Sequence, residues 1–567
     1  MHVRQNFFDR MVAAVSPERG ARRFAARAAL TAATSMTAGL PISPGGQVTG
    51  QGGYYGGQSD RRQTRGWAAK LRTPNQDAAK RDTLIARSRH AAMNIPLGTA
   101  AVERPIDFTV GSGLMAIPEI DGAAVGLSDE DAAALNRQIA KDYDDYMSST
   151  DPDAERGTTG YGLQEIVMRG VLESGDIVPL RCWADDQLGR THFTAWKLVE
   201  ADWIVSPLGH VEGKPLNSTG NVCTDGVEVD GYNAPVAVHV LKKAPDGAFG
   251  GRYARTAGDT VRIPIWGEKS GLPSAVLIMS KRRGGQTRGI PVLAPVLEIL
   301  RQVSDLTDAE LFAAVMTAML AIVYKSPGAG SMPEADYGAE SEEARMVSGG
   351  GAYTGDGSDR GGNIRMEAGS VLEIDSESEV DVKSPGRPNP AFDPFFLGMV
   401  RQLSAATKVP YEILLLHFTA SYSASRGALE VFYLTYVMPK REWLSSMWCQ
   451  VGYSCWLHEQ VVRGVYKMPG FLTNATRRVA WSRARHRGDG KITLDPAREA
   501  KALEVYEAHA WSTGAQITAG LNGGDYDSNV TVRASEHKRF VDGGLPIPNA
   551  KGGGNETAPS DQKEEQE

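Results

Sequence analysis

From Pro291 onward, apolar residues recur three or four positions apart: Val292, Val296, Ile299, Val303 and Leu306, then Leu311, Val315, Met319 and Ile322. That spacing is the period of one helix face, so the segment predicts a single helix of about 35 residues, roughly 50 Å long at 1.5 Å rise per residue. Such a stripe must be covered along its length, so the helix needs an equally long neighbour. It does not read as a membrane span. Its most apolar run, Leu311 to Tyr324, is 14 residues, whereas a bilayer takes about 20.

Two further helices share this character. Asp393 to Thr407 offers Phe396, Met399, Val400 and Leu403 as one side. Ser425 to Arg463 is longer and contains Pro439; proline lacks a backbone donor, which predicts a kink or a division there. Residues 77–104 and 127–147 read as polar-faced helices. Asp495-Pro496 opens a shorter helical pair, Asp as N-cap and Pro at the first helical position. Between Ile177 and Ile265 the pattern becomes that of strands: Ile177–Trp183, Thr191–Leu198 and Val236–Leu241, with turn residues between them. Strands in one stretch and helices in others give an α+β class. The Gly-, Ser- and Gln-rich stretch 36–66, the Gly-rich stretch 326–362 and the polar tail 549–567 are too poor in apolar side chains to fold alone.

Charge and motifs narrow the function. Lys plus Arg number 61 and Asp plus Glu 68, a net charge of −7. A chain without overall positive charge does not coat nucleic acid, so any DNA contact is local. Arg4, Arg10, Arg19, Arg22, Arg23 and Arg27 interrupt the apolar core that a secretory signal requires. With no run long enough to span a bilayer, the expectation is a soluble protein made inside the cell. Cys182, Cys223, Cys449 and Cys455 form no C-x-x-C pair and read as thiols in a reducing compartment. H-E-x-x-H, the Walker phosphate loop and G-x-S-x-G are absent from the sequence. The glycines of 355–362 lack the preceding strand and following helix of a phosphate cradle. Asp142, Asp144 and Asp145, like His458-Glu459, read as solvated helix faces rather than ligands. No cofactor and no metal are expected.

Two basic groups stand out. Lys281, Arg282, Arg283 and Arg288 bracket Gly284-Gly285-Gln286-Thr287; Arg477, Arg478, Arg483, Arg485 and Arg487 form the second. Either group could contact phosphate without reading sequence, or serve as solubilising loops or subunit contacts. Neither carries the aromatic ladder of a single-strand binder, and both readings stay open.

Several segments together resemble the lambda-type portal proteins of tailed bacteriophages. They are Arg282-Arg-Gly-Gly-Gln-Thr-Arg-Gly-Ile-Pro with the Ala-rich helix after Ala309-Glu310-Leu311, and Tyr422-Ser-Ala-Ser-Arg426 leading into Arg441-Glu-Trp-Leu and Trp456-Leu-His-Glu-Gln-Val-Val-Arg-Gly464. Asp495-Pro496-Ala-Arg-Glu-Ala-Lys-Ala502 and Gly524-Asp-Tyr526 follow, with Leu84–Arg89, Asn94 and Val110-Gly-Ser-Gly113 upstream. The likeness covers residues 70–545, in the family's order.

The resemblance implies a portal fold assembled as a ring of about twelve subunits at one capsid vertex, with double-stranded DNA passing along the axis. It implies a flexible arm at 1–69, a wing at 70–289, a first stem helix at 290–325, a clip at 326–388 and a second stem helix at 389–408. A tunnel loop at 409–425, a backing helix and wing return at 426–489, a crown at 490–545 and a disordered tail at 546–567 complete it. It also implies, as partners, the terminase large subunit, a head–tail adaptor, the major capsid protein and a scaffolding protein, and a place in the virion with no membrane. Pro410 ends the helix before it, Ile413-Leu-Leu-Leu416 anchors the loop, and His417, Thr419, Ser421, Tyr422, Ser423 and Arg426 would face DNA. The competing reading is a plain helix connection with Ser425 as N-cap. Alternatives at the level of function are another virion ring or adaptor, or a DNA-processing enzyme of the capsid. The latter needs a metal cluster or phosphate loop that the sequence does not display.

Overall fold

The computed structural model describes residues 71–76, 80–185, 187–216, 219–242, 259–268, 270–319, 322–325, 371–374, 391–418, 422–491, 496–522, 524 and 526–544. Expectations for the arm, the Gly-rich stretch 326–362, Asp495 and the tail fall outside these residues.

The first helical segment is two helices, α1 (Arg81–Asn94) and α2 (Pro96–Thr109), not one. Ile95 sits in extended backbone, φ −111° and ψ 114°, because the ring of Pro96 crowds the helical conformation of the residue before it. A short strand β1 (Met115–Pro118) leads to α3 (Asp129–Ser148), capped by Ser128, and then to α4 (Gly160–Ser174), capped by Thr159. The strand region follows as anticipated. β2 (Asp176–Trp183) pairs antiparallel with β3 (Thr194–Glu200). An antiparallel five-stranded meander runs β4 (Lys214–Pro215), β5 (Val222–Thr224), β6 (Val227–Val229), β7 (Pro235–Leu241) and β8 (Thr260–Pro264). β9 (Ile278–Met279) returns to the other edge of β2.

The helix after Pro291 is shorter than its stripe suggests. α5 spans Leu297–Met319, 23 residues, about 35 Å at 1.5 Å per residue. Residues 292–296 are turns containing Pro295, and the chain becomes a strand, β10 (Ile322–Lys325), that pairs in parallel with β11 (Val371–Ile374). Among the described side chains, only the first half of the stripe is covered by this chain. Leu293, Val296, Leu300 and Val303 are buried, whereas Leu311, Phe312 and Val315 are 64%, 67% and 42% exposed.

α6 (Phe392–Thr407) ends where expected, with Lys408 left-handed at φ 63°. The short α7 (Tyr411–Leu415) follows. The long helix neither divides nor breaks at Pro439. α8 (Tyr422–Phe432), α9 (Met438–Leu444) and α10 (Gln450–Val462) run on through two π turns, Tyr433–Val437 and Ser445–Cys449. A π turn just before Pro439 widens the turn that the ring would otherwise strike and shifts the hydrogen-bond register. Then come α11 (Ala475–Trp481) and β12 (Ala484–Arg487), which pairs antiparallel with β1. The last helices are three rather than a pair: α12 (Pro496–Ala508), α13 (Gly514–Asn522) and α14 (Tyr526–Asp542). α12 buries none of its residues.

The main core gathers α1, α2, α4, β2 and the buried half of α5 with α6 to α9, through residues such as Val102, Val167, Leu293, Val400 and Leu444. A second cluster is aromatic: Tyr143, Tyr146, Tyr453, Trp456 and Trp481 join α3 to α10 and α11. Cys223, Cys449 and Cys455 are buried and Cys182 is half-buried, all four as free thiols.

Candidate functional site

The first basic group divides at Gln286. Lys281, Arg282 and Arg283 are exposed, while Gln286, Thr287 and Arg288 are buried. The Gln286 carboxamide closes the turn, accepting from the N–H of Arg282 at 2.9 Å and donating to the carbonyl of Arg288 at 2.8 Å. Arg283 donates to the carbonyl of Arg72 at 3.2 Å. Arg288 corrects the expectation of a DNA or subunit contact, since it is 4% exposed and its guanidinium is used inside the fold. It grips both oxygens of Asp176, at 2.9 and 3.0 Å, and donates to the carbonyls of Ala201 and Ile204. Arg81 meets the same carboxylate at 3.0 Å and reaches Asp225 at 3.0 Å.

Asp176 is fully buried. Burial alone would raise its pKa, but Arg288, Arg81 and the N–H of Gly289 outweigh it and hold the carboxyl down at about 2. Arg81 is shifted down by burial and by Arg288, whereas the two aspartates outweigh burial for Arg288 and shift it up. Gly289 is required here: a Cβ on it would lie 1.8 Å from the carbonyl oxygen of Gly175. Most of the Arg-Gly-Gly-Gln-Thr-Arg-Gly motif therefore welds α1, β2 and the entry to α5 into one unit.

The second basic group is spread over α11 and β12. Arg478 donates to the carbonyls of Phe471 and Leu472. Arg485 pairs with Glu119, and Arg487 donates to the carbonyl of Gly524. Arg483 is exposed. Its neighbour His486 is half-buried with Nδ1 at 2.9 Å from Ser445 Oγ, and desolvation lowers its pKa to about 4.

The segment between α6 and α8 is partly helical. Ile413 and Leu414 of α7 are buried, but Leu416 is 54% exposed and left-handed at φ 49°. His417 and Phe418 are exposed after it. Thr419 and Ser421 lie outside the described residues. Tyr422 and Ser423 begin α8. Ser425 lies inside α8, buried, so it is not the N-cap of the competing reading. Arg426 pairs with Glu499 of α12 at 3.2 Å, and one turn on, Glu430 pairs with Lys491 at 2.9 Å. One face of α8 thus presents a plus and a minus that match a minus and a plus on the segment leading through α12.

Sequence reasoning missed Asp176 and Arg81, which carry no motif of their own. It also misread Glu459. That carboxylate is 1% exposed rather than solvated. It accepts from the N–H groups of Phe193 at 2.9 Å and Thr194 at 2.7 Å and pairs with Arg463 at 3.0 Å, which stacks over Phe193. Asp142 is likewise engaged, accepting from the Tyr466 hydroxyl at 2.6 Å. Among the described residues no group of three or more His, Cys, Asp or Glu is placed to hold a metal ion, and no helix is long and apolar enough to cross a membrane.

A model of the lambda family of phage portal proteins matches residues 60–438. The portal protein of Escherichia phage N15 is 25% identical over 485 residues, covering 81% of this chain and 84% of the relative. Portal protein B of Escherichia phage lambda is 22% identical over 480 residues, covering 80% and 84%. Among solved structures, a chain from the neck of a native gene transfer agent particle computed with C12 symmetry aligns at 14% identity with a TM-score of 0.38, covering 77% of this chain and 93% of that one. A chain from the virion of such a particle aligns at 14% identity with a TM-score of 0.35, covering 82% and 94%.

Proposed function

The chain belongs to the lambda family of phage portal proteins, and from that premise we propose that copies of it close into a ring of about twelve around a channel for double-stranded DNA. The ring serves packaging and ejection at one capsid vertex. The observation that carries this reading is the uncovered half of the α5 stripe. Leu311 and Phe312 are about two-thirds exposed, with Val315 beside them and Phe395 of α6 at 59%. An apolar row of this kind on one chain calls for a partner, and in a ring the same row on each copy meets the next.

The family is a structural one, and this chain is read as having no ATPase or nuclease activity. The segment from His417 to Arg426 faces DNA in this reading. Exposed His417 and the helix start at Tyr422 and Ser423 support it, as does a net charge of −7, since a channel must let phosphate slide rather than bind it tightly. Lys281, Arg282 and Arg483, all exposed, are the basic residues left for phosphate or a neighbouring subunit. The terminase, head–tail adaptor, capsid and scaffolding proteins are its proposed partners, the virion its place, and the host cytoplasm its site of synthesis.

Native mass spectrometry of the purified protein tests the ring. Closed rings at micromolar concentration are expected, and a stable monomer there would sink the reading. For the channel, Tyr422→Glu should leave rings intact and impair DNA packaging or retention by repelling phosphate. Normal packaging would mean that this segment does not approach DNA.

A further inference from the structure

A cleft of about 460 Å³ opens between α4, the ends of β2 and β3, and Arg89 of α1. Asp176 and Ala201, which hold Arg288, form part of its wall. Ile166, 40% exposed, and Trp203 give it apolar walls. Its two arginines are already committed to carboxylates. Arg169 pairs with Glu103 and Glu165, and Arg89 pairs with Glu200 at 2.9 Å and Asp202 at 3.0 Å while donating to Ser174 Oγ at 3.1 Å.

Glu173 lines the same cleft and, unlike its two arginines, is uncommitted. It is half-buried and makes no hydrogen bond or ion pair among the described residues. Burial holds its carboxyl above the usual range, more strongly than Arg169 and Arg89 draw it down. A partly dry carboxylate with unmet acceptor sites is costly to leave unpartnered. An incoming anion finds no uncommitted guanidinium here. A cation finds an acceptor, and an aliphatic stem finds Ile166 and Trp203 to lie against. Lys197, exposed at the rim, is the chain's own competitor for that place.

We propose that this cleft binds a primary alkylammonium group, with Glu173 as its carboxylate and Ile166 and Trp203 along its methylenes. The group comes either from a free aliphatic diamine or from a lysine of a neighbouring copy of this chain. Calorimetric titration of the full-length protein with 1,4-diaminobutane at low salt tests the first source. Saturable binding is expected, at least tenfold weaker in Glu173→Gln and several-fold tighter in Lys197→Ala, which removes the competitor without touching Glu173. Carbodiimide cross-linking of mixed light- and heavy-isotope protein tests the second, where a light–heavy link between Glu173 and a lysine identifies the neighbouring copy. Diamine binding unchanged in Glu173→Gln overturns the proposal. So does the absence of both diamine binding and the mixed link, with Lys197→Ala no tighter than the parent.

Discussion

The chain uses arginine–carboxylate contacts in two regions under opposite conditions. Where α1, β2 and the entry to α5 meet, Arg81, Arg288 and Asp176 are each at most 4% exposed and share several backbone partners. At α8 and α12, Arg426 is 36% exposed and Glu430 45%. The contacts are similar in length, so distance alone does not separate them. Solvent does. Removing one member of a buried set strands a charge where water cannot reach it, while an exposed pair re-solvates when broken. The first arrangement fixes a shape. The second can come apart and re-form at little cost.

Stability and packaging assays test that contrast. The largest effect is expected from Asp176→Ala, which leaves Arg81 and Arg288 facing each other in the core. Chemical denaturation should show a loss of about 3–5 kcal/mol, and a loss below about 1 kcal/mol would mean that water enters the cluster. Glu459→Ala comes next. It deprives the N–H groups of Phe193 and Thr194 and the Arg463 guanidinium of their acceptor, for about 2 kcal/mol on the same assay.

Acid titration follows. The Asp176 carboxyl lies at about 2 in the folded chain, below its unfolded value near 3.9. Its contribution is therefore full above the unfolded value and lost as pH falls through about 2. His486 acts higher. Its folded pKa of about 4 lies below an unfolded value near 6.5, so the unfolded chain takes up the proton first and stability falls between those two values. His486→Leu should flatten that upper step of the stability-against-pH curve and leave the lower one.

The smallest effect on stability is expected at the exposed pairs. Arg426→Ala should cost less than about 1 kcal/mol, and less still in high salt. Its functional counterpart is a charge swap. Arg426→Glu combined with Glu499→Arg restores the pair while leaving negative charge on α8. If packaging recovers in the double variant, Arg426 serves to hold α12; if it stays impaired, the charge on α8 itself meets DNA.

Much of the architecture was legible. The strands of 177–241 and the helix 392–407 follow from their periods, and Pro410 marks the turn at Lys408. Pro96 carried the signal for the break at Ile95, and Pro295 the signal for the late start of α5; both are local sterics that a longer apolar pattern had masked. The candidate site was less legible. The Arg-Gly-Gly-Gln-Thr-Arg-Gly run stood out as basic, but charge composition does not distinguish exposed Arg282 from buried Arg288. Glu459 looked like half of a polar pair on an amphipathic helix, and its burial comes from β3, more than 260 residues away along the chain.

By itself, then, the sequence determined the periods, the helix stops, the negative balance of charge and the motif order that places the chain in its family. These depend on neighbours a few residues apart, where sterics and hydrogen-bond geometry act directly. Only the tertiary structure decided that Asp176 meets Arg81 and Arg288, 95 and 112 positions away, and that half of the α5 stripe stays uncovered by its own chain. Whether a charge is buried or an apolar row is left bare depends on what the folded chain brings beside it from a distance, and no local spacing of residues encodes that.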